Sequence, residues 1–582
     1  MSEVKPKGRL EASRALLFVV LLLGLATLLP DRHGVSTLAE TNTGVRVWAV
    51  QSWVHYDTWS LDEVLCRLHP DYTPLDLSVK DGRPELQKAP GLSWLAVPVY
   101  SAFSAGRGGE RIPTHRAATA LAVVCVWLPL MLIAWRFGGW LLERVEASAA
   151  LTALIALVAG SPLFVYSGLF MDYGLSTMLL LGGALAIRSS SIVWIAAGGF
   201  ALGLAGDVNY MCWVHGAAIG AVELARRVRE RQEVSTYLKG VLGGVAVPLV
   251  GLLVYSEVMW GSPFATGYDF MDHEQHRSRT SPDTPLEMLL RALFADTKHG
   301  MWVHAPWTIA GMVGLGLGVR DRSRRWIATT GLVVLVGCLV FTSFWQAEFK
   351  DDAAFARHML PAYPWLALGL AFSVERLAQN EKLLAVLTRG AIDGGILIAA
   401  FFALATAWTF PYHPLDLDAP LWQLNVKFFL LDVHIPPIGS PMDGGPPGAS
   451  RGHWIPVGIS MFCIAGAATC ARAVGATGSL QATLVRGVIA VVTAMLFFVL
   501  CFQMQPLTDM ERLAELEGGS PVVTASDREL LQAAQREDEW VRRIGREILE
   551  SHITRVDATW SDEGYPETNP WCLPGEVKEP GS

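Results

Sequence analysis

The sequence predicts an all-α polytopic membrane protein with about thirteen transmembrane helices. Of its 582 residues, 52% are hydrophobic and only 17% are charged, whereas a soluble domain usually carries about 25% charged residues. Uncharged apolar runs of about 18–22 residues recur along the chain, and each is long enough to cross about 30 Å of hydrocarbon. The 21 tryptophans also fit anchoring at membrane–water interfaces.

The first apolar run, residues 15–29, follows a basic segment and could be mistaken for a signal peptide. The run is long, and no small-residue cleavage site follows in LLPDRHG, so we predict a retained first helix near 13–30. The other spans are predicted near 115–136, 148–168, 172–188, 191–206, 210–225, 239–260, 302–319, 326–345, 358–376, 390–410, 454–472 and 484–504.

The distribution of Lys and Arg predicts a cytoplasmic N-terminus. The dense basic clusters RRVRER (226–231) and RDRSRR (320–325) then lie inside, and the long connecting segments lie outside. We therefore predict a transmembrane domain over residues 1–505, with a first extracytoplasmic loop at 31–114 that contains surface helices. Residues 506–582 are expected to form a small soluble extracytoplasmic tail, and the whole chain is expected in the cytoplasmic (inner) membrane.

Several functions are disfavoured by the sequence. A net charge of −8 does not indicate nucleic-acid binding, which usually requires a basic surface. No Walker A, HExxH, GxSxG or Rossmann motif is present. No internal repeat is visible, which weighs against many transporter folds. The eight cysteines have no metal-ligand spacing, so neither a metal nor a cofactor is predicted. Cys66 and Cys572 lie in polar segments and could pair in an oxidising compartment; two free thiols are the alternative.

Ionisable residues near the span ends are functional candidates, because charges in a bilayer are costly. Asp172 opens a predicted span, Asp207 and Asn209 lie at a turn between two spans, and Glu257 lies near the outer end of another. All are expected toward the outer face, which suggests one polar cavity opening outward. The alternative is a set of helix-end residues hydrated by interfacial water.

The first outer loop contains both an acidic and a basic candidate. Residues 43–54, with Trp48 and Trp53, predict a helix lying along the membrane surface. Glu40 precedes this helix, where a helix N-terminus favours a carboxylate. Lys88 precedes Ala-Pro-Gly, where proline disfavours helix at the residue before it and glycine permits close backbone approach. An ammonium there could bind a lipid phosphate; a snorkelling lysine is the alternative.

A second basic element, Arg357 and His358, begins the span HMLPAYPWLALGLAF. The planar guanidinium of arginine suits phosphate, although an interfacial anchor is an equal alternative. His299 and His304 are weaker candidates for binding, because an interfacial histidine is more often packed or solvated.

Seven segments carry a family resemblance. They are TNTGVR (41–46), DTWSLDE (57–63), KDGRPELQKAPGLSWLAVPVY (80–100), SPLFVYSGLFMDYGL (161–175), WGSPFATGY (260–268), TKHGMWVHAPW (297–307) and FWQAEFKDDAAFARHMLPAYP (344–364). In their order and placement against the predicted spans, they resemble GT-C type membrane glycosyltransferases. Within that class the chain is similar to members related to glycosyltransferase family 39, the protein O-mannosyltransferases and the lipid A aminoarabinose transferase. The resemblance covers most of residues 13–505.

The resemblance implies a GT-C-like fold and an inverting glycosyltransferase that takes a sugar from a polyprenyl-phosphate carrier at the extracytoplasmic face. The acceptor would be a lipid, glycan or protein, and no nucleic acid is involved. Glu40 matches the family's acidic base, with Asp57 and Asp62 as alternatives. Some enzymes of the class use a metal, but none is predicted here.

The same resemblance assigns roles to the other candidates. Lys88 matches the lysine that holds the carrier phosphate, with His358 and His299 as further substrate-binding residues. Asp172 matches an acidic turn that orients the acceptor or a basic partner, and Arg357 is a weaker phosphate ligand. KAPG replaces the commoner Lys-Pro-Pro, and AETN replaces a common Asp. A transporter or flippase of lipid-linked or polar solutes, and a catalytically inactive GT-C-like assembly subunit, therefore remain alternatives.

Overall fold

The computed structural model describes residues 41–65, 76–270, 285–290, 299–344 and 355–408, apart from single positions at 110, 113 and 381, together with a few short stretches elsewhere. The predicted spans 13–30 and 454–472, most of 484–504 and the tail 506–582 therefore lie outside the described residues, as does Glu40.

Helices dominate the described chain. The long ones are α1 (Thr41–Gln51), α3 (Gly91–Ala105), α4 (Thr114–Leu121), α5 (Leu128–Leu142), α6 (Ala147–Val158), α8 (Asp172–Ala186), α9 (Ile192–Val208), α10 (Met211–Arg229), α11 (Val234–Trp260), α14 (Thr308–Arg320), α15 (Arg325–Phe344), α16 (Tyr363–Ala378) and α17 (Leu383–Trp408). The short elements are α2 (Asp62–Leu65), β1 (Leu77–Lys80), β2 (Arg83–Leu86), α7 (Leu163–Tyr166), α12 (Pro285–Leu290) and α13 (Met301–His304). A π-helical segment (Ala122–Trp127) joins α4 to α5 without a break.

The chain is a multi-pass membrane protein. Within the described residues, four continuous helices are long and apolar enough to cross a bilayer: Ala117–Leu142, Val234–Trp260, Arg325–Phe344 and Leu383–Ala407. Three shorter apolar helices are α6, α9 and α14. Large apolar side chains on α9, α10 and α11 are exposed, for example Val193 (71%), Val214 (70%) and Val247 (64%). Such surfaces suit contact with lipid rather than with water.

Two predicted spans are interrupted by proline. The span predicted at 148–168 ends as a helix at Val158, and α7 begins only at Leu163. Pro162 disfavours helical geometry at Ser161, whose hydroxyl instead accepts a hydrogen bond from the Leu163 amide at 3.2 Å. Similarly, Pro306 separates α13 from α14 within the span predicted at 302–319. These breaks were not part of the sequence prediction.

The first loop contains an antiparallel hairpin, so the all-α class is wrong for this segment. Strands β1 and β2 pair with Leu77 opposite Leu86 and Lys80 opposite Arg83. Asp81 and Gly82 form the turn with positive φ angles of 52° and 79°. Asp-Gly is a strong signal for this type of hairpin turn, and it is present in the sequence VKDGRPEL.

Helix α1 forms where the sequence predicts a helix, and its position along the membrane surface stays a prediction. Its apolar residues Val45, Trp48 and Val50 are at most 1% exposed, and its polar residues Arg46 and Gln51 are equally buried. Inside the protein, Arg46 Nη1 donates to the Asn42 carbonyl at 3.0 Å, and Gln51 Nε2 donates to the Ile112 carbonyl at 2.9 Å.

The helices pack closely through small residues. A Cβ atom on Gly314 of α14 would collide with the backbone of Gly369 on α16, so these two helices approach nearly backbone to backbone. Such small-residue contacts are the usual means of joining helices in lipid. The largest buried cluster runs from α5 through α16 to α17, and a second buried cluster joins α1 to α3 and α4.

Candidate active site

A buried ion pair joins the first loop to the helix bundle. Arg46 Nη2 of α1 lies 3.2 Å from Asp172 Oδ1, and the two side chains are 1% and 7% exposed. Asn209 Nδ2 donates a 2.8 Å hydrogen bond to Asp172 Oδ2. The Arg46 contact lacks hydrogen-bond alignment, so Asp172 Oδ1 interacts with it electrostatically. Asp172 is thus held by a cation on one side and by an amide on the other.

Local backbone geometry places these groups at helix ends. Met171 is extended (φ −125°, ψ 155°), so Asp172 is the first residue of α8, where a carboxylate is favourable. Asn209 is also extended and separates α9 from α10. Its Oδ1 accepts the Met211 amide at 3.2 Å, which caps the start of α10 and fixes the side chain that reaches Asp172.

Arg357 and His358 lie beside the residue that follows Asp172. The Arg357 guanidinium carbon is 5.2 Å from the centre of the Tyr173 ring. The His358 ring meets the same tyrosine edge-on at 5.4 Å and meets Phe341 at 5.1 Å. Both residues are buried, at 6% and 7% exposure. The structure therefore brings Asp172, Arg357 and His358 into one region, as a shared site requires.

Lys88 is buried rather than pointing into solvent. It is 7% exposed, and its Nζ forms a 2.7 Å ion pair with Asp76 Oδ1 at the entrance to β1. The backbone beyond it turns into α3 at Gly91, where a Cβ atom would lie 2.6 Å from the Asp207 carbonyl. Only glycine permits this approach, which fixes the Lys88 segment against the end of α9.

Aromatic residues connect the Lys88 region to the Asp172 region. Lys88 Nζ lies 5.8 Å from the centre of the Tyr268 ring, and Tyr268 meets Tyr210 edge-on at 6.2 Å. Tyr210 follows Asn209, the residue that hydrogen-bonds to Asp172. The Ser93 hydroxyl also donates to the Arg46 carbonyl at 3.4 Å, which joins α3 to α1.

The remaining candidate residues differ from these in their exposure and in their local contacts. Asp57 is exposed and has a left-handed backbone (φ 50°) at the end of the π turn Ser52–Tyr56. Asp62 is half-buried at the start of α2, where its Oδ1 accepts the Glu63 amide. His299 is buried, at 1% exposure. Glu257 is exposed on α11.

Three charged residues of the site were missed by sequence reasoning. Arg46 interrupts the apolar stretch GVRVWAV, which is a recognisable sign of an internal partner. Asp76 gives no such sign, because nothing in the sequence pairs it with Lys88. Glu85 could have been found from the hairpin pattern. Burial, together with the nearby Asp62 carboxylate, raises the pKa of Glu85 to about 7, against smaller opposing effects of Lys80 and Arg83.

Asp207 is nearly fully buried, at 1% exposure. Within the part of the chain that the structure describes, neither of its carboxylate oxygens has a hydrogen-bond partner. No group of three or more His, Cys, Asp or Glu side chains in that part is arranged to hold a metal ion.

Comparisons with known proteins give distant similarities only. No family model and no curated protein match the chain. Among solved structures, it is similar to ArnT from Cupriavidus metallidurans bound to undecaprenyl phosphate, with 14% identity, 83% coverage of this chain, 76% of that chain and a TM-score of 0.41. Apo ArnT gives the same identity and coverages and a TM-score of 0.44.

A third similar structure is the archaeal oligosaccharyltransferase AglB from Archaeoglobus fulgidus, in complex with an inhibitory peptide and a dolichol-phosphate. Its identity is 11%, its coverage 76% of this chain and 63% of that chain, and its TM-score 0.37. Identities and TM-scores this low assign neither a fold family nor an activity to this chain.

Proposed function

We propose that this protein is an inverting glycosyltransferase that moves a sugar from a polyprenyl-phosphate carrier to an acceptor at the extracytoplasmic face of the cell membrane. The observation that carries the proposal is the burial of Lys88 beside Asp76, in a segment fixed against the end of α9. Its aromatic neighbours lead to the Arg46–Asp172 pair, and Arg357 lies against Tyr173. Three buried cations are therefore linked to one another through aromatic side chains, Asn209 and Asp172.

Buried cations support a role in binding a lipid phosphate. A charged side chain is costly to bury unless it meets an opposite charge, and charges inside membrane proteins are commonly functional. When the sugar–phosphate bond breaks, negative charge develops on the phosphate, and positioned cations stabilise it best where water is scarce. In this proposal Lys88 contacts the phosphate, and Arg357 assists. Asp76 and Asp172 position Lys88 and Arg46.

The acceptor must lose a proton as its oxygen attacks the anomeric carbon. In the proposed reaction a carboxylate takes this proton, the new carbon–oxygen bond forms, and the bond to the carrier phosphate breaks, which releases polyprenyl phosphate. The sequence resemblance favours Glu40 as this base, since it directly precedes the helix that carries Arg46. Asp57 and Asp62 are the alternatives in the same loop. Asp172 is a positioning residue, because both of its oxygens already meet Arg46 and Asn209.

The proposal is tested by incubating purified protein in lipid nanodiscs with polyprenyl-phosphate sugars and measuring released polyprenyl phosphate by mass spectrometry. We expect Lys88→Met to abolish release, whereas Lys239→Met, at an exposed lysine of α11, leaves it unchanged. We expect Glu40→Gln to lower the rate by roughly a hundredfold or more, as loss of a general base does.

Two results would reject parts of this proposal. If the folded protein releases polyprenyl phosphate from none of the polyprenyl-phosphate sugars offered, the transferase function is rejected. Full activity of a triple variant at Glu40, Asp57 and Asp62 would reject the assignment of the base to the first loop. Such a variant is compared with Asp81→Asn, which removes an exposed carboxylate from the same loop at a turn that asparagine tolerates.

A further inference from the structure

One face of the β1–β2 hairpin lies against the end of α11. Ser78 is directly opposite Glu85, so the two side chains share a face. The Ser78 hydroxyl donates to the carbonyl of Gly267, and Lys80 Nζ, on the same face, donates to the Met259 carbonyl at 2.5 Å. Glu85 is therefore directed toward the last turns of α11.

Glu85 is a buried carboxylate on this face of the hairpin. The residue is 8% exposed, and Oε2 has no hydrogen-bond partner within the described parts of the chain. The Leu61 amide donates to the Pro84 carbonyl at 2.8 Å, which brings the segment of Trp59 and Asp62 beside it. A buried polar atom left unpaired costs free energy, so native proteins almost always supply a partner.

Tyr255, one turn before Met259 on α11, presents a second polar atom of this kind. It is 5% exposed, and its hydroxyl also lacks a hydrogen-bond partner among the residues described. Met259, one turn further along α11, has its carbonyl hydrogen-bonded by Lys80, which is on the same face of the hairpin as Glu85. Two residues that are more than nine-tenths buried, each with an unpaired oxygen within the described residues, thus lie on the two elements that meet at this contact.

An exposed indole lies against the Tyr255 ring. The Trp59 ring meets the Tyr255 ring edge-on at 5.8 Å and meets Trp53 at 5.0 Å, while Trp94 meets Tyr255 at 5.5 Å. Trp59 is 44% exposed, although its neighbours are largely buried. Binding sites for small molecules commonly combine such aromatic surface with a few convergent polar groups.

We propose that Glu85, Tyr255 and Trp59 form a subsite for a pyranose ring. Sugar hydroxyls donate to the carboxylate and accept from the phenol, and the apolar face of the ring packs on the indole. Water alone would satisfy the two oxygens but would leave the indole uncovered. Within the described residues, no group of three or more His, Cys, Asp or Glu side chains is placed to hold a metal ion.

The position of the subsite fits either sugar of the proposed reaction, and the identification of a sugar as ligand rests on that proposal. Glu85 precedes Lys88 by three residues, and three extended residues span at most about 10 Å. A phosphate at Lys88 and a sugar at Glu85 could therefore belong to one donor headgroup. A sugar of the acceptor is the other source of the same chemistry.

Two binding measurements on the full-length protein in nanodiscs distinguish these sources. The first compares the affinity for polyprenyl phosphate with and without an attached hexose or pentose. The second records saturation-transfer NMR signals from a panel of methyl pyranosides. If the donor sugar occupies the subsite, the wild type prefers the sugar-bearing lipid roughly tenfold or more, the value of one hydrogen bond to a charged group. Glu85→Gln and Tyr255→Phe then reduce this preference without changing the affinity for the bare lipid.

An acceptor sugar would instead give methyl pyranoside signals that both variants and Trp59→Ala abolish. Trp135→Ala, at a similarly exposed tryptophan (40%) on α5, and Asp81→Asn on the same hairpin are controls that should change neither measurement. A misfolded variant would also lose the bare lipid, so the affinity ratio reports on the subsite itself. If neither variant alters either measurement, the subsite is rejected. Failure of the wild type to bind any polyprenyl phosphate would count against the transferase, while the pyranoside signals would still test the subsite.

Discussion

Asp172→Asn tests the buried ion pair that joins the first loop to the bundle. The substitution keeps the size of the side chain and a possible contact to Asn209, but it leaves the 1%-exposed Arg46 without its counter-charge. At 3.2 Å and an effective dielectric constant of about 20, two unit charges attract by about 5 kcal/mol. Removing one partner of a buried pair typically costs about 3–5 kcal/mol. We therefore expect the free energy of unfolding to fall by about 3–5 kcal/mol.

The measurement is denaturant unfolding in detergent micelles, with Arg46→Met and the double variant completing a cycle. We expect the double variant to be at least about 2 kcal/mol more stable than additivity predicts, because it contains no uncompensated charge. Glu143→Gln is the matched control. The Arg144–Glu143 pair has a similar separation, 3.1 Å, but its side chains are 47% and 75% exposed. Its loss should cost at most about 1 kcal/mol. Additive single variants, or an Asp172→Asn loss as small as the control, would refute the reasoning.

Two further predictions follow from the first loop. Because the pKa of Glu85 is raised from 4.5 to about 7 in the folded state, its contribution to stability is present below pH 4.5 and is lost as the pH rises through 7. The free energy of unfolding, measured as the pH rises from 4.5 to 7, should fall by up to roughly 3 kcal/mol. Glu85→Gln should make the free energy of unfolding less dependent on pH in this range. If the variant has the same pH dependence as the wild type, the raised pKa is contradicted. Gly91→Ala should lower the unfolding free energy by about 1–3 kcal/mol, since the new Cβ meets backbone atoms of Asp207 that cannot rotate away. Gly139→Ala on α5, with open space around the new Cβ, should be neutral or stabilising by up to about 1 kcal/mol, and an equal effect of both substitutions would contradict this account.

Helix positions were largely predictable, and helix interruptions were predictable in part. Spans such as 326–345 coincide with α15 (Arg325–Phe344), because an apolar run of this length has no other low-energy conformation in lipid. The break before α7 and the β1–β2 hairpin were missed, although Pro162 and the Asp81-Gly82 pair stand in the sequence. Spans are predicted from hydropathy averaged over about 19 residues, and a single proline or a two-residue turn barely changes that average.

The candidate site was predictable only as separate residues. Asp172, Lys88 and Arg357 stand out because each places a charge next to an apolar run, and the cost of that charge can be judged from the sequence. The roles expected for Glu40, Asp57 and Asp62 stay predictions. What the sequence lacked was the identity of the partners, such as Arg46 for Asp172 and Asp76 for Lys88.

The sequence by itself therefore determined that this is a helical membrane protein, because hydropathy and length are properties of short contiguous segments. Only the tertiary structure decided that α1 is enclosed by the protein, that Lys88 is buried beside Asp76, and that the hairpin face carrying Glu85 lies against the end of α11. The physical reason is that the cost of burying a charge belongs to one residue, whereas its compensation comes from a residue far away along the chain. Long-range packing alone selects that second residue.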